Sequence, residues 1–361
     1  MGIWTFVGGA QWEGGEFRPN KGIGYELPRE ENRTIRLDGH DILFPGFVDA
    51  HAHLWAPGAS KLGHICAQQL ASSGIVAALD FGSYGYDGWE AADRFWRATS
   101  PLVTRSFLNI CPEGQPGAGA RTPAKDISKQ RLVDMYRRAE GRLLGFKVHL
   151  GFGAAGVDDD REWLRLIREV ADAAEARIGV HLTLTYLEMR EIASYLKSGD
   201  ILIHVAQGKR GAPLDADGSY SEAVVEAQKR GVLMDCATGL GNFSWDIFRK
   251  AKAKGFQPDL YANDMTFNSW QDGVHRDMPH LISSLSAIGG VPLEDLFTAV
   301  TTRAAALMGI EYSFDSLAVL RRKNIALTVT DSLQQTECAD YAYELDAFLR
   351  DGACWIDKLG G

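Results

Sequence analysis

Residues 44–54 read FPGFVDAHAHL and carry the pattern from which the fold can be predicted. The run 47–50 predicts a strand, and the two histidines that follow, His51 and His53, face the same side of it. If this strand belongs to a parallel barrel, its C-terminal end opens at the active-site mouth. Two neutral imidazoles in this arrangement can bind one divalent metal ion. Alone, a His-x-His pair is a weak signal, because such pairs are more often surface or hydrogen-bonded residues.

Seven more short apolar runs follow along the chain, at residues 75–79, 103–110, 143–150, 178–184, 201–205, 232–236 and 260–262. Stretches of helical character separate them. Residues 158–176 begin with acidic residues and have one apolar face, and residues 292–308 are a second such stretch. Apolar strands that alternate with helices are typical of a parallel sheet covered on both faces. We therefore predict an α/β fold, a (β/α)8 TIM barrel, with an open doubly wound sheet as the alternative.

The two ends of the chain have a different pattern from the middle. Residues 1–45 contain short apolar groups among Gly, Glu and Arg, and residues 317–320 and 324–329 look like short strands. We predict that residues 1–45 and 310–361 together form a small β domain. The barrel would then occupy residues 46–309.

Three more residues of metal-ligand type lie at the ends of predicted strands. His181 and His204 close the fifth and sixth apolar runs, and Asp264 follows the eighth. Polar groups at such positions are costly to bury unless they are paired or bind a metal. Each could be a hydrogen-bonded strand-end residue, but together with the two histidines of the first strand they favour a metal site.

Lys147 lies within the fourth apolar run, where burial should lower the pKa of its amine. A neutral amine can react with carbon dioxide to give a carbamate, whose two anionic oxygens can bridge two metal ions. A lysine paired with a nearby acid is the alternative interpretation of this residue taken alone.

This order of residues on the first, fourth, fifth, sixth and eighth strands resembles the amidohydrolase superfamily in its two-metal subgroup. The resemblance covers residues 42–309 and includes the sequence PGFVDAHAH around the histidine pair. It implies one metal ion bound by His51, His53 and Asp264, a second bound by His181 and His204, and a carboxylated Lys147 between them. Zinc is the expected ion, and manganese, cobalt and iron suit the same ligands.

Two stretches are similar to the deacetylase-like branch, which includes acyl-ester and acyl-amide hydrolases. They are residues 234–245 (MDCATGLGNFSW) and 255–259 (GFQPD). Two positions depart from the pattern of that branch. Thr238 stands where the branch often has a histidine before the glycine, and Asn263 where it usually has a serine before the aspartate. Both departures concern the substrate and not the chemistry.

The resemblance implies hydrolysis of an amide or ester acyl bond in a small N-acyl or O-acyl amino or hydroxy acid. Two metal ions would share a bridging hydroxide that attacks the acyl carbon, and Asp264 would pass its proton to the leaving group. The alternatives are a cyclic amide hydrolase, similar to dihydroorotase or hydantoinase, or a deaminase, which usually uses one metal ion. A non-enzymatic relative is disfavoured, because all six ligand positions are filled.

Several residues near the predicted strand ends are candidates for binding the small-molecule substrate: His149, Tyr86, Arg121, Asn242 and Asn263. Other candidate loop residues are Trp89, Lys209, Arg210, Phe267 and Trp270. We interpret His64, placed in a predicted helix, and His275 and His280 as structural. Residues 151–156 match the glycine pattern of a dinucleotide-binding loop. They follow the fourth strand and not the first of a βαβ unit, so we interpret them as a flexible loop over the cleft.

Composition excludes some classes of function. The formal net charge of −9 and the pI near 5.5 argue against nucleic-acid binding. The sequence has no basic stretch followed by an apolar one at its start and no apolar run long enough for a membrane span. The five scattered cysteines suit reduced thiols in the cytoplasm. A homo-oligomer is compatible with these features.

Overall fold

The chain begins with four strands, of which the last leads directly into the barrel. The computed structural model describes residues 2–28, 30–58, 64–115, 122–151, 157–239, 241–272 and 277–359. The four strands are β1 (Gly2–Glu13), β2 (Glu16–Pro19), β3 (Ile23–Leu27) and β4 (Arg33–Phe44). β1 pairs antiparallel with β2 and β3 and parallel with β4.

Eight consecutive strands then form a parallel sheet in sequential order. They are β5 (Phe47–Ala52), β6 (Ile75–Phe81), β7 (Val103–Asn109), β8 (Leu143–His149), β9 (Arg177–His181), β10 (Ile201–Ile203), β11 (Leu233–Ala237) and β12 (Leu260–Ala262). The sheet closes where the His53 backbone N–H donates to the Met265 carbonyl at 2.9 Å, beside a parallel bridge between Ala52 and Met265. Each of the eight predicted apolar runs overlaps one of these strands, and the predicted (β/α)8 barrel is confirmed.

Helices connect and cover the barrel strands. They are α1 (Ala67–Ala71), α2 (Trp89–Thr99), a 3-10 turn (Ala124–Asp126), α3 (Lys129–Arg138), α4 (Val157–Ala174), α5 (Met189–Ser194), α6 (Glu222–Lys229), α7 (Trp245–Ala253), α8 (Phe267–Asp272), α9 (Met278–Ala287), α10 (Leu293–Ala299) and α11 (Thr302–Met308). Of the helices described, none is long and apolar enough to cross a lipid bilayer.

The helix predicted over residues 292–308 is wrong as a single element. It is divided into α10 and α11, because Thr301 leaves the helical region at φ −138° and ψ −93°. The Thr301 hydroxyl donates to the Phe297 carbonyl and accepts a hydrogen bond from Trp12 Nε1 at 3.0 Å. Trp12 lies in β1, so the point where the two helices separate contacts a residue that is distant in the sequence.

Five strands follow the last helix: β13 (Ser316–Lys323), β14 (Leu327–Thr330), β15 (Thr336–Ala339), β16 (Ala342–Arg350) and β17 (Ala353–Asp357). β13, β16 and β17 join the first four strands in a seven-stranded sheet of order β17-β16-β13-β4-β1-β2, with β3 also on β1. The strand predicted at 324–329 is partly wrong, because the strand starts at Leu327 and pairs with β15 as a separate hairpin. The domain boundaries at residues 45/46 and 309/310 remain predictions.

The two faces of the seven-stranded sheet pack against different cores. In β13, Leu317 and Val319 face a small apolar cluster that includes Phe6, whereas Ala318 and Leu320 belong to the core that continues into the barrel. This is the two-residue alternation expected of a strand buried on both sides. The sheet is therefore attached to the barrel by one face and covered independently on the other.

Aromatic rings fill the barrel interior beneath its C-terminal mouth. The rings of Phe81 and Phe107 stack at 4.4 Å with an interplanar angle of 7°. Two neighbouring strands carry glycines where they meet these rings. A Cβ atom at Gly145 would lie 2.7 Å from Phe107, and one at Gly179 would lie 2.6 Å from Phe81. The ring of His51 stacks on Phe81 at 4.5 Å, so this aromatic layer forms a floor under the predicted site.

Phe6→Ala should destabilise the protein by about 3–5 kcal/mol, because it leaves a cavity in the small cluster. Ile3→Ala in the same strand is the control, since Ile3 is 45% exposed and its truncation should cost about 0.5 kcal/mol or less. The free energy of unfolding in urea measures both. Equal destabilisation by the two changes would contradict the assignment of Phe6 to a packed core.

Candidate metal centre

Three residues of metal-ligand type converge at the C-terminal mouth of the barrel. His51 lies at the end of β5, His53 immediately after it, and Asp264 two residues after β12. Asp264 Oδ1 is 3.5 Å from His51 Nε2 and 3.2 Å from His53 Nε2. One ligand atom from each residue lies within 4.8 Å of the others, and all three residues are buried. This His-His-Asp group has the composition and spacing of a divalent-metal site.

Two further histidines lie beside this group. His181 ends β9 and His204 follows β10, and their ring centroids are 4.5 Å apart. His204 Nε2 lies 3.9 Å from Asp264 Oδ2, and the His204 ring centroid lies 5.6 Å from that of His51. His204 and Asp264 both have positive φ angles, 66° and 50°. Such strain costs about 1–3 kcal/mol per residue and is found mainly at functional sites.

Hydrogen bonds at Nδ1 turn the other ring nitrogen of three histidines toward the centre. His204 Nδ1 lies 2.8 Å from the Ala237 carbonyl, which can only accept, so this nitrogen carries the hydrogen. His51 Nδ1 lies 2.7 Å from Asp235 Oδ2, and in its ionised form this carboxylate accepts in the same way. The Nε2 lone pairs of both rings are therefore left for a ligand in the centre.

A serine and a carboxylate orient the third ring. His53 Nδ1 lies 2.9 Å from Ser83 Oγ. The Ser83 hydroxyl donates its own hydrogen to Asp80 Oδ2, so it accepts from His53. Asp80 is fixed in turn by the backbone N–H groups of Leu54 and Ser83, at 2.9 and 3.0 Å. The Nε2 lone pair of His53 is thus also directed at Asp264.

Sequence reasoning missed the carboxylates that orient these rings. Asp235 and Asp80 lie in apolar strands, and Asp49 accepts the His51 backbone N–H at 3.1 Å. All three are fully buried. Burial raises the pKa of Asp80 and Asp235, the latter far above its usual value, and that of Asp49 to about 7. A carboxylate inside an otherwise apolar strand was the signal in the sequence that could have identified them.

Burial also determines the charge of the histidines. It lowers the pKa of His51 and His181 well below the usual value, and the pKa of His204 to about 4. These rings are neutral at neutral pH, which is the form that binds a metal. Burial alone would raise the pKa of Asp264, but the close contacts with His53 and His204 outweigh it and hold this pKa at about 2. Asp264 is therefore an anionic ligand.

The amine of Lys147 lies in the same buried region. Its side chain is fully buried, and Nζ has no hydrogen-bond partner among the described residues. Nζ is 5.4 Å from the centroid of the Phe81 ring on the barrel floor. Burial lowers the pKa of this amine to about 8, although Asp264 and the nearby buried aspartates act in the opposite direction. Burying an unpaired ammonium is costly, so a neutral or derivatised amine suits this place better.

The donor set fits a bound metal. The Nε2 lone pairs of His51, His53 and His204 and the Asp264 carboxylate are all acceptors, and the distances from Asp264 to the three nitrogens are 3.2–3.9 Å. Acceptors at such distances repel one another unless a cation lies among them. Nitrogen and carboxylate ligands in this number suit zinc and similar divalent ions.

Only some of the predicted substrate residues lie beside the His-His-Asp group. The His149 ring is 4.5 Å from that of His181, and Asn242 Nδ2 donates to Asp264 Oδ2 at 3.0 Å. The Asn263 amide is fully buried, and neither of its polar atoms has a partner among the described residues. The Tyr86 ring packs instead under the Arg131 guanidinium of α3, at 4.0 Å. Arg121 lies outside the described residues, and these substrate roles stay predictions.

The interpretation of His64 needs a correction. It lies in the loop between β5 and α1 and not in a helix, and its ring stacks on that of His53 with centroids 5.9 Å apart. His64 therefore borders the metal-ligand cluster, which the sequence did not indicate. His280 lies in α9, whereas His275 and most of the glycine-rich loop, residues 152–156, lie outside the described residues.

Comparison with known proteins gives relatives and fold neighbours. No protein-family model matches the chain. A deacetylase of Agrobacterium fabrum is 25% identical over 291 residues, which cover 77% of this chain and 68% of that protein. A deacetylase of Brucella anthropi is 25% identical over 286 residues, with 76% and 68% covered.

Several solved structures share the whole fold. A dihydroorotase superposes with a TM-score of 0.83 at 20% identity, covering 99% of this chain and 97% of its own. An adenine deaminase gives 0.80 at 16% identity, with 98% and 99% covered. An enamidase described as a member of the amidohydrolase superfamily gives 0.56 at 14% identity, with 99% and 97% covered. The predicted resemblance to the amidohydrolase superfamily is confirmed, and the relatives support its deacetylase-like branch.

Asp235→Asn should weaken binding of a divalent metal by about 10–100-fold, because the amide is uncharged and can turn either its oxygen or its NH₂ group toward His51 Nδ1, so the tautomer is no longer fixed. Asp246→Asn, at an acid on α7 whose side chain is 49% exposed, is the matched control. Competition with a chromophoric chelator measures the affinity of both proteins. Equal affinities would contradict the role given to Asp235.

Proposed function

We propose that this chain, a metal-dependent hydrolase of amidohydrolase type, cleaves the acyl bond of small N-acyl or O-acyl amino or hydroxy acids with two bound divalent ions. The observation that carries the proposal is the cluster of buried acceptors around Asp264, beside the buried amine of Lys147. Zinc is the expected ion. His51, His53 and Asp264 would hold one ion, and His181 and His204 the other.

A carbamate on Lys147 would complete this ligand set. The neutral amine attacks the carbon of carbon dioxide, forms an N–C bond and releases one proton, which leaves an anion with two oxygens. Two dications at short distance repel strongly, and Asp264 supplies only one negative charge among the proposed ligands. An anion carried by Lys147 would add the second. The absence of a hydrogen-bond partner for Nζ among the described residues supports this modification.

The chemistry divides between the ions and the side chains. When bound, the divalent ions lower the pKa of water and polarise an acyl carbonyl. Asp264 is ionised, and its Oδ2 lies away from His51 and His53, which face Oδ1. Oδ2 can accept the proton of the attacking water and return it to the leaving nitrogen or oxygen. The aromatic floor and the buried carboxylates keep these groups in fixed positions.

Two cations at the barrel mouth support a substrate that carries a carboxylate. Lys209 and Arg210 lie between β10 and α6, in the loop that leaves the C-terminal end of β10. A Cβ atom at Gly241 would lie 2.5 Å from Lys209 Nζ, so this ammonium borders the loop that carries Asn242. The Arg210 guanidinium stacks on the exposed ring of Tyr186 at 3.8 Å. Such a local positive field can attract an anion although the whole chain is negative.

A cyclic amide hydrolase or a deaminase is the second candidate function. The observation that favours it is the match of the whole fold to a dihydroorotase and to an adenine deaminase, although both are below 25% identity. The same cluster of ligands would serve ring opening, since this also begins with water attack on a polarised carbon. The substrate decides between the two candidates.

A substrate panel tests the proposed reaction. N-acetyl and O-acetyl amino and hydroxy acids should be hydrolysed, whereas dihydroorotate, hydantoins and aminopurines should not. Asp264→Asn should reduce kcat on the acetylated substrates by about 100–10,000-fold, because an amide cannot accept the proton. Asp246→Asn is the control. Turnover of the ring compounds alone would favour the second candidate, and a kcat of Asp264→Asn within a few-fold of the wild type would contradict the proton role.

Metal reconstitution tests the carbamate. With bicarbonate at pH 8, the metal-free protein should bind close to two divalent ions per chain, and Lys147→Ala should bind fewer and lose activity. Lys197→Ala, at a lysine whose side chain is 61% exposed, should behave as wild type. Elemental analysis gives the stoichiometry. Two ions bound by Lys147→Ala would contradict a bridge from this residue.

The same reconstitution should depend on pH in a defined direction. With its pKa at about 8, the Lys147 amine is about half neutral at pH 8 and only about 1% neutral at pH 6. At equal concentrations of dissolved carbon dioxide, reconstitution should therefore be accelerated much more at pH 8 than at pH 6. His204, with a pKa of about 4, is neutral at both pH values and does not account for the difference.

A further inference from the structure

We propose that Asn242, held by Thr183, is a positioning residue that fixes the orientation of the Asp264 carboxylate. The inference rests on the role proposed above for Asp264. It differs from the prediction made from sequence, in which Asn242 was a candidate for contacting the substrate. Three loops at the barrel mouth provide the three residues: Thr183 follows β9, Asn242 lies between β11 and α7, and Asp264 follows β12.

Two hydrogen bonds connect the three side chains in series. The Thr183 hydroxyl donates to Asn242 Oδ1 at 2.8 Å, and Asn242 Nδ2 donates to Asp264 Oδ2 at 3.0 Å. The ionised carboxylate can only accept, so it requires the NH₂ group of the amide on its side. The amide oxygen is then left for the hydroxyl of Thr183. The chemistry of the partners thus fixes the orientation of the amide.

This pair of hydrogen bonds makes the two oxygens of Asp264 different. Oδ1 faces the Nε2 atoms of His51 and His53 at 3.5 and 3.2 Å, whereas Oδ2 receives the hydrogen bond from Asn242. The torsion that rotates a carboxylate is otherwise broad. Without the amide, the carboxylate could turn and exchange its oxygens. With it, Oδ1 stays toward His51 and His53, and Oδ2 stays on the amide of Asn242.

The backbone is shaped to bring the two groups together. Asp264 has a φ of 50°, in the left-handed region that non-glycine residues rarely adopt. Gly239, in the loop that leads to Asn242, also has a positive φ of 29°, and a Cβ atom there would lie 2.3 Å from Asp264 Oδ2. The loop therefore passes so close to the carboxylate that a side chain at 239 would displace it. Thr183 is buried and Asn242 is half-buried.

The experiment compares four variants of the cobalt-loaded protein by visible absorption without substrate and by steady-state kinetics on an N-acetyl amino acid. Asn242→Ala should lower kcat by about 10–100-fold while KM changes by less than about threefold. Asn242→Asp has the same shape but repels Asp264, so its kcat should be lower still. The kcat of Thr183→Val should lie between that of Asn242→Ala and that of the wild type. Thr183→Ser keeps the hydroxyl and should match wild type.

The cobalt absorption separates positioning from other roles. It should change in Asn242→Ala and Asn242→Asp, because the orientation of a ligand carboxylate has changed, and remain unchanged in Thr183→Ser. A raised KM with unchanged kcat and an unchanged spectrum would overturn the inference and make Asn242 a substrate contact. If the wild-type protein hydrolyses none of the acyl substrates, the proposed function fails. The cobalt spectra then still decide whether Asn242 orients Asp264.

Discussion

The structure depends on a group of acceptor atoms held together at one end of a barrel. Nε2 lone pairs from three histidines surround the Asp264 carboxylate, at distances of 3.2–3.9 Å from its oxygens. Such a group is unfavourable unless a cation binds within it. The barrel keeps these acceptor atoms together, because each residue lies at or just beyond the C-terminal end of a barrel strand. His51 and His53 lie at the end of β5, His204 follows β10, and Asp264 follows β12. The strained backbone at His204 and Asp264 is a further cost of this arrangement.

The groups around the cluster act mainly by orientation. The Ala237 carbonyl, Ser83 and Asp235 each engage one histidine at Nδ1, which leaves Nε2 for the metal. The Phe81 ring stacks against the His51 ring, and the buried amine of Lys147 lies near the Phe81 ring. The fold thus orders these acceptor atoms before a metal ion binds.

The sequence predicted the features that repeat or lie close together in the chain. Eight apolar runs predicted eight barrel strands, and the candidate ligand residues predicted at the strand ends lie close together in the structure. Contacts between distant residues were not predictable in this way. Trp12 contacts Thr301 where the helix at 292–308 is interrupted, and His64 meets His53 through the fold of a loop. The role of Asp235 could not be predicted from its neighbours in sequence, because its partner, His51, is 184 residues away.

The central claim is that the acceptor cluster and Lys147 together hold two divalent ions. Anomalous diffraction from crystals of the zinc-loaded protein, grown with bicarbonate, tests it most directly. The account predicts two peaks, one among His51, His53 and Asp264 and the other near His181 and His204, with electron density extending beyond Lys147 Nζ between them. A single peak, or two peaks with Lys147 ending in a bare amine, would contradict it.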